Sequence, residues 1–101
     1  MDPKEFELIV RAREGDTQAF DALVRRYDAE ILGLIIRMIG DGPDTEDVCQ
    51  ETFIRAYSRL HRFRLESSFR TWVTRIAINQ CLNNRRRRSL RALFDRLSGS
   101  H

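Results

Sequence analysis

The chain has 101 residues, 42% hydrophobic and 33% charged, with a formal net charge of +3. That is apolar material for one core and too little chain for two. No stretch reaches the ~20 uncharged apolar residues of a membrane span, and residues 1–13 carry acids where a secretory leader would place a basic segment before an apolar one, so a cytoplasmic protein without membrane insertion is expected. Cys49 and Cys81 have no CxxC partner, and His61 and His101 do not stand at zinc-ligand spacing from them. Both cysteines are therefore expected to be reduced and structural, with no metal and no cofactor.

The small net charge hides a division. Residues 1–61 hold 8 Lys/Arg against 13 Asp/Glu, and residues 62–101 hold 10 Arg against Glu66 and Asp95. A basic end on an otherwise acidic chain suits a polyanion, because each neutralised phosphate releases counterions. The acidic part must face something else. The run Arg85-Arg86-Arg87-Arg88 also fits a solvated helix end favoured by the helix dipole.

Alternating β-branched runs are missing, and apolar residues recur at helical spacing, which predicts an all-α bundle of about four helices. A first helix is expected over residues 4–14, stopped by Gly15, with Asp16 or Thr17 capping the second. There Phe20, Leu23, Val24, Tyr27, Ile31, Leu34, Ile35 and Met38 form one continuous apolar stripe, the signature of a core face. Gly40-Asp41-Gly42-Pro43 ends that helix.

Asp44 is placed to cap the third helix, with Glu46 and Asp47 near its positive start. Cys49, Phe53, Ala56 and Leu60 give it a core face. Asp47, Gln50, Glu51 and Ile54 fall within about 100° of one another on the opposite side. Carboxylates and an amide there fit solvent; an exposed isoleucine among them argues for a partner.

Residues 61–68 read as a loop, with Ser67 or Ser68 capping a fourth helix over about residues 69–88. Phe69, Trp72, Val73 and Ile76 form its inner face, and Trp72 reads as core rather than as a stacking platform. Thr71, Arg75, Asn79 and Arg86 lie within about 80° on another flank. These side chains donate to phosphates and base edges, which makes the flank a candidate nucleic-acid surface. Ile78 and Leu82 lie near it and suggest a second packing contact. From Ser89 onward Leu90, Leu93, Phe94 and Leu97 repeat at helical spacing, as a last helix or the start of a linker, before a Ser-Gly-Ser-His end that reads as a truncation point or an appended remnant.

DTEDVCQETFIRAY at residues 44–57, followed after a short basic loop by FRTWVTRIAINQCLNNRRRR at residues 69–88, closely resembles region two of the extracytoplasmic-function sigma factors. Either motif alone is moderate evidence; the pair at this separation is specific. The resemblance implies a domain over residues 1–88 followed by the beginning of a linker or terminal helix. It implies that Asp47, Gln50, Glu51 and Ile54 dock on the clamp helices of the largest subunit of core RNA polymerase. It implies that the loop containing Phe63, Arg64, Ser67 and Ser68, with Asn79, receives a base flipped from the non-template strand of the promoter minus-ten element, while Arg75, Asn83 and Arg86 hold the strand or the flanking duplex backbone. An anti-sigma factor is implied as a further partner.

Extruding a base costs a few kcal/mol, so it needs a shaped pocket with hydrogen-bond partners, and a serine-bearing loop beside an asparagine supplies these. No GxxxxGK[ST] sequence and no nucleophile-base set is present, so no enzyme is expected and melting must draw on binding energy. Two other readings share these features. One is a helix-turn-helix binder of double-stranded DNA, although residues 61–68 make a longer link than its tight turn. The other is a helical adaptor without a nucleic-acid role.

Overall fold

A computed structural model describes residues 1–99. Four α-helices follow in order, α1 (Pro3–Arg13), α2 (Thr17–Ile39), α3 (Thr45–Ser58) and α4 (Phe69–Leu97), with a single 3₁₀ turn at Leu60–Arg62. Among the described residues there is no strand.

Local chemistry sets the boundaries. The Asp2 carboxylate accepts from the Lys4 amide at the start of α1, and Pro3 costs nothing at a position whose N–H would be unpaired. Asp16 Oδ1 accepts from the amides of Gln18 and Ala19 at 3.1 and 3.2 Å, while its other oxygen takes two bonds from Arg11. The Arg11 guanidinium, followed by the capped amides, holds the Asp16 carboxyl below its ordinary pKa. Gly40 closes α2 with φ at +86°, a left-handed value that disfavours a side chain.

The start of α3 departs from expectation. Asp44 stands at the N-cap position, but its side chain makes no capping bond. Asp44 Oδ2 instead accepts from Asn84 Nδ2 at 3.2 Å and lies 3.7 Å from Arg88 Nε. Thr45 takes over the turn: its hydroxyl donates to the Gly40 carbonyl at 2.8 Å and accepts from the Gly42 amide at 2.9 Å.

The predicted α2 stripe is core: Phe20, Leu23, Tyr27, Ile31 and Ile35 are buried, with Val24, Leu34 and Met38 packed at its edges. The predicted face of the third helix holds Phe53 and Ala56, continued by Leu60 of the 3₁₀ turn, with Cys49 only half-buried, and α3 also buries Val48 and Thr52. Thr52 is tolerated because its hydroxyl donates to the Val48 carbonyl 2.8 Å away. From α4, Phe69, Val73, Ile76, Ala77 and Cys81 complete the centre. Burial raises the pKa of the Cys81 thiol, and burial followed by Glu46 and Asp28 raises that of Cys49, so neither is disposed to thiolate chemistry.

One buried carboxylate needs an explanation. Glu5 of α1 is 5% exposed, yet it accepts from the Tyr27 hydroxyl and lies 3.8 Å from Arg26, which also pairs with Asp2 at 2.8 Å. Burial, then the bond to Glu5, pushes the Tyr27 hydroxyl up to about 12. The folded state therefore holds this proton more tightly than the unfolded chain, so its contribution is fully present below the ordinary tyrosine pKa and is lost as pH rises toward 12. Urea titrations above pH 10 are expected to show stability falling more steeply in the native chain than in Tyr27→Phe; parallel slopes would refute this.

The fourth helix runs past the predicted end without a break. Ser89 continues it because no glycine or proline stands between Phe69 and Ser98. Its last buried residue is Asn84, and residues 85–97 are all exposed. At about 1.5 Å per residue this helix sets the long axis of a molecule measuring 56 × 23 × 22 Å. Residues 100 and 101 of the Ser-Gly-Ser-His end lie outside the described residues.

Candidate functional site

Helix α3 stands as a ridge between two depressions, and the four residues of its outward face divide between them. Asp47 and Glu51 lean to a polar cleft shared with α4, where Asp44, Gln80, Asn84, Arg87 and Arg91 complete the walls. Gln50 and Ile54 lean to an apolar groove shared with α2, lined by Phe20, Val24, Cys49, Phe53 and Tyr57 with Asp21, Asp28 and Glu46 at its rim. Ile54 is 62% exposed and Gln50 is exposed. An isoleucine so placed, with an apolar trough beside it, makes an exposed apolar patch on an otherwise polar ridge. Glu51 is partly engaged by Arg55 at 3.1 Å.

On the other side the chain leaves α3 through the 3₁₀ turn, whose Leu60 carbonyl accepts from Arg13 Nε of α1 at 3.2 Å. The loop that follows is pinned at both ends. Phe63, expected to face nucleic acid, is only 2% exposed. Its ring meets Phe69 edge-on with centroids 6.1 Å apart and lies 5.1 Å from Trp72. That expectation is corrected: an aromatic ring in a loop of charged neighbours gains most by entering the core, so Phe63 anchors the loop. Leu65 also packs inward and takes a positive φ of 65°, a left-handed conformation that costs free energy in a non-glycine residue. Trp72 is half-buried against Phe63 and Phe69.

The remaining loop residues point out or cap. Arg64 is exposed and Ser67 half-buried. Ser68, not Ser67, caps α4: its hydroxyl accepts from the Thr71 amide at 3.1 Å and donates to the Thr71 hydroxyl at 2.9 Å. Thr71, Arg75, Asn79 and Arg86 are all exposed along one flank of α4. Asn83 is half-buried and reaches Gln80 at 3.5 Å.

Asn79, Asn83 and Arg86 share one concavity, and its opposite wall is the end of α3, through Arg55 and the C-cap residue Arg59. Sequence reasoning missed these two arginines. Their spacing of four on a predicted helix was legible, but nothing local said that this edge of α3 faces α4. Arg64, Ser67 and Ser68 do not line that concavity; Asn79 lies three turns along α4 from the cap, roughly 16 Å at the helical rise. Leu82 remains exposed in the concavity, without the second packing contact expected of it. Of the arginine run, Arg85 donates to the Met38 carbonyl at the end of α2, and Arg88 lies beside Asp44. Arg86 and Arg87 face solvent.

Residues 23–91 match the family model of Sigma-70 region 2. The chain belongs to that family. This region 2 domain is 49% identical over 78 residues to the RNA polymerase sigma-H factor of Pseudomonas aeruginosa, covering 77% of the chain and 40% of the relative. It is 45% identical over 76 residues to the ECF RNA polymerase sigma-E factor of Haemophilus influenzae, covering 75% and 40%. The chain thus spans about two fifths of the length of these curated relatives. Among solved structures it resembles an engineered region 2 of sigmaE in complex with GTAAAA, at 37% identity and a TM-score of 0.75, over 96% of this chain and 98% of that one. It also resembles CnrH in complex with the cytosolic domain of CnrY, at 32% identity and a TM-score of 0.69, over 95% and 63%. The four-helix region 2 fold expected from the paired motifs is therefore the fold found, and among the described residues no helix is long and apolar enough to cross a membrane.

Proposed function

We propose that this region 2 domain joins core RNA polymerase to the minus-ten element of promoters, acting in the cytoplasm as an initiation factor and not as an enzyme. The observation that carries the reading is a pair of unlike exposed surfaces on one bundle, which adjoin along α3 where Glu51 pairs with Arg55. Asp47, Gln50, Glu51 and Ile54 crown a ridge beside an acid-rimmed trough, whereas Asn79, Asn83 and Arg86 face Arg55 and Arg59 across a basic one. The first suits the clamp helices of the largest polymerase subunit; the second suits a nucleic-acid strand, its arginines meeting phosphates and its asparagine amides base edges.

In this reading a non-template base leaves the stack and enters the loop at Arg64, Ser67 and Ser68, and the strand then follows the α4 flank past Thr71 and Arg75 to Asn79, Asn83 and Arg86. Binding energy meets the few kcal/mol of unstacking, and a loop already anchored by Phe63 need not be ordered at that moment. The engineered region 2 of sigmaE in complex with GTAAAA supports a DNA ligand. Residues 1–88 form the binding unit and the arm beyond them begins the linker. An anti-sigma factor would compete for the apolar trough between α2 and α3: CnrH in complex with the cytosolic domain of CnrY supports a protein partner, and the exposed Ile54 supports this place for it.

Binding to single-stranded minus-ten DNA and to the corresponding duplex, with and without core polymerase over a salt series, tests this. Capture by polymerase together with preference for the non-template strand is the expected result. Duplex binding without polymerase would favour the helix-turn-helix reading, and binding to neither would leave only the adaptor.

A further inference from the structure

The segment of α4 beyond its last buried residue is a basic amphipathic helix with no neighbour to pack on among the described residues. Leu90, Leu93, Phe94 and Leu97 lie within about 100° of one another at helical spacing, and Phe94 and Leu97 are 69% and 77% exposed. Around them residues 85–97 carry six arginines and one acid, Asp95. An exposed stripe of this size is seldom left bare in a soluble domain.

The same molecule presents the complementary surface. The trough between α2 and α3 is apolar at its floor, through Val24, Phe53 and Ile54, and carries Asp21, Asp28 and Glu46 on its rim, with no arginine or lysine in the lining. We propose that the α4 arm of one copy docks in this trough of a second copy. Because α4 is continuous from Phe69 to Leu97, the arm cannot fold back onto its own trough. Arm against arm would oppose two strongly positive segments, whereas arm against trough pairs unlike charge around matched apolar strips. A single such contact is small, so the association is weak and reversible.

The consequence is self-masking. Docking covers Ile54 of the receiving copy, so that copy cannot present its polymerase-facing trough. That consequence rests on the reading above; the association itself does not, and it is measured without polymerase.

Sedimentation velocity of the 101-residue chain over a concentration series is expected to show reversible association that weakens as salt rises. The arm variant Phe94→Ser/Leu97→Ser and the trough variant Ile54→Arg should each weaken it about tenfold or more. Circular dichroism should stay unchanged, since all three side chains are exposed. An equimolar mixture of the two variants should associate again, because each supplies the surface the other lacks. A chain that stays monomeric throughout overturns the proposal, as does a trough variant that associates like the native chain or a mixture without rescue. Binding of a monomeric chain to vesicles containing phosphatidylglycerol would overturn it in favour of a lipid surface for the arm.

Discussion

Replacing Phe63 with alanine is expected to destabilise the domain by about 3–5 kcal/mol, the usual cost of truncating a buried aromatic ring. The ring is almost fully enclosed and joins Phe69 and Trp72 in one aromatic cluster, so its removal leaves a void bounded by rigid neighbours on α4. Against a total stability of roughly 5–15 kcal/mol for a domain of this size, that loss alone brings the fold near its margin. Urea midpoints compared for Phe63→Ala, Phe63→Leu and the native chain measure it, and the leucine variant should recover most of the loss because it refills the space. A second effect follows from position. Phe63 ties the start of the loop to the core while the Ser68 hydroxyl ties its end to Thr71, so Phe63→Leu, even when folded, should bind single-stranded minus-ten DNA more weakly than it binds polymerase. An alanine variant as stable as the native chain would mean that the loop does not depend on this ring.

Where chain-local physics decides, the sequence was readable. The caps were legible to within one residue, as Asp16 or Thr17 and Ser67 or Ser68, because each pair precedes an apolar-periodic run, and the α2 stripe was recognisable because its period of 3.6 persists from Phe20 to Met38. Gln50 and Asn79, both expected outside, are outside. Where two partners compete for one side chain, local rules failed. Asp44 could have capped α3, but Asn84 and Arg88, some 40 residues away, offer its carboxylate a donor and a cation. Nothing at position 44 announces them. The inward turn of Phe63 was hidden for the same reason: a loop has no period from which to infer a face, and only the partner rings on α4 reveal it. Thr52 escaped a search for apolar residues because its burial depends on a bond to its own helix. The end of α4 was misplaced because four arginines and a serine resemble a helix terminus, yet none of them breaks a helix, and helix formation continues until something stops it. The missed Arg55 and Arg59 belong to a concavity that exists only once α3 and α4 are packed together.

The two proposed surfaces should be separable by single substitutions. Asp47→Ala removes a carboxylate from the α3 ridge without touching the core, because Asp47 is exposed and makes no bond within the fold among the described residues. If it meets a cation of polymerase that becomes desolvated on docking, the variant should lose about 1–3 kcal/mol of that affinity, roughly 5- to 150-fold, mostly through faster dissociation. Its affinity for minus-ten DNA in isolation should not change. Asn79→Ala should do the reverse, because an amide reading a base edge leaves that edge unpaired when it is lost. Arg86→Ala provides a further distinction: a contact to phosphate is indifferent to base identity, so affinity should drop similarly for matched and mismatched strands and the salt dependence should become shallower by about one counterion. Fluorescence anisotropy with labelled strands and surface plasmon resonance with immobilised core polymerase measure the two affinities separately. Combining Asp47→Ala with Asn79→Ala should reproduce each single loss unchanged, as independent sites require. If both variants lost both activities in equal measure, one shared surface would have to replace two, and the division of the bundle into a protein-facing ridge and a strand-facing flank would be wrong.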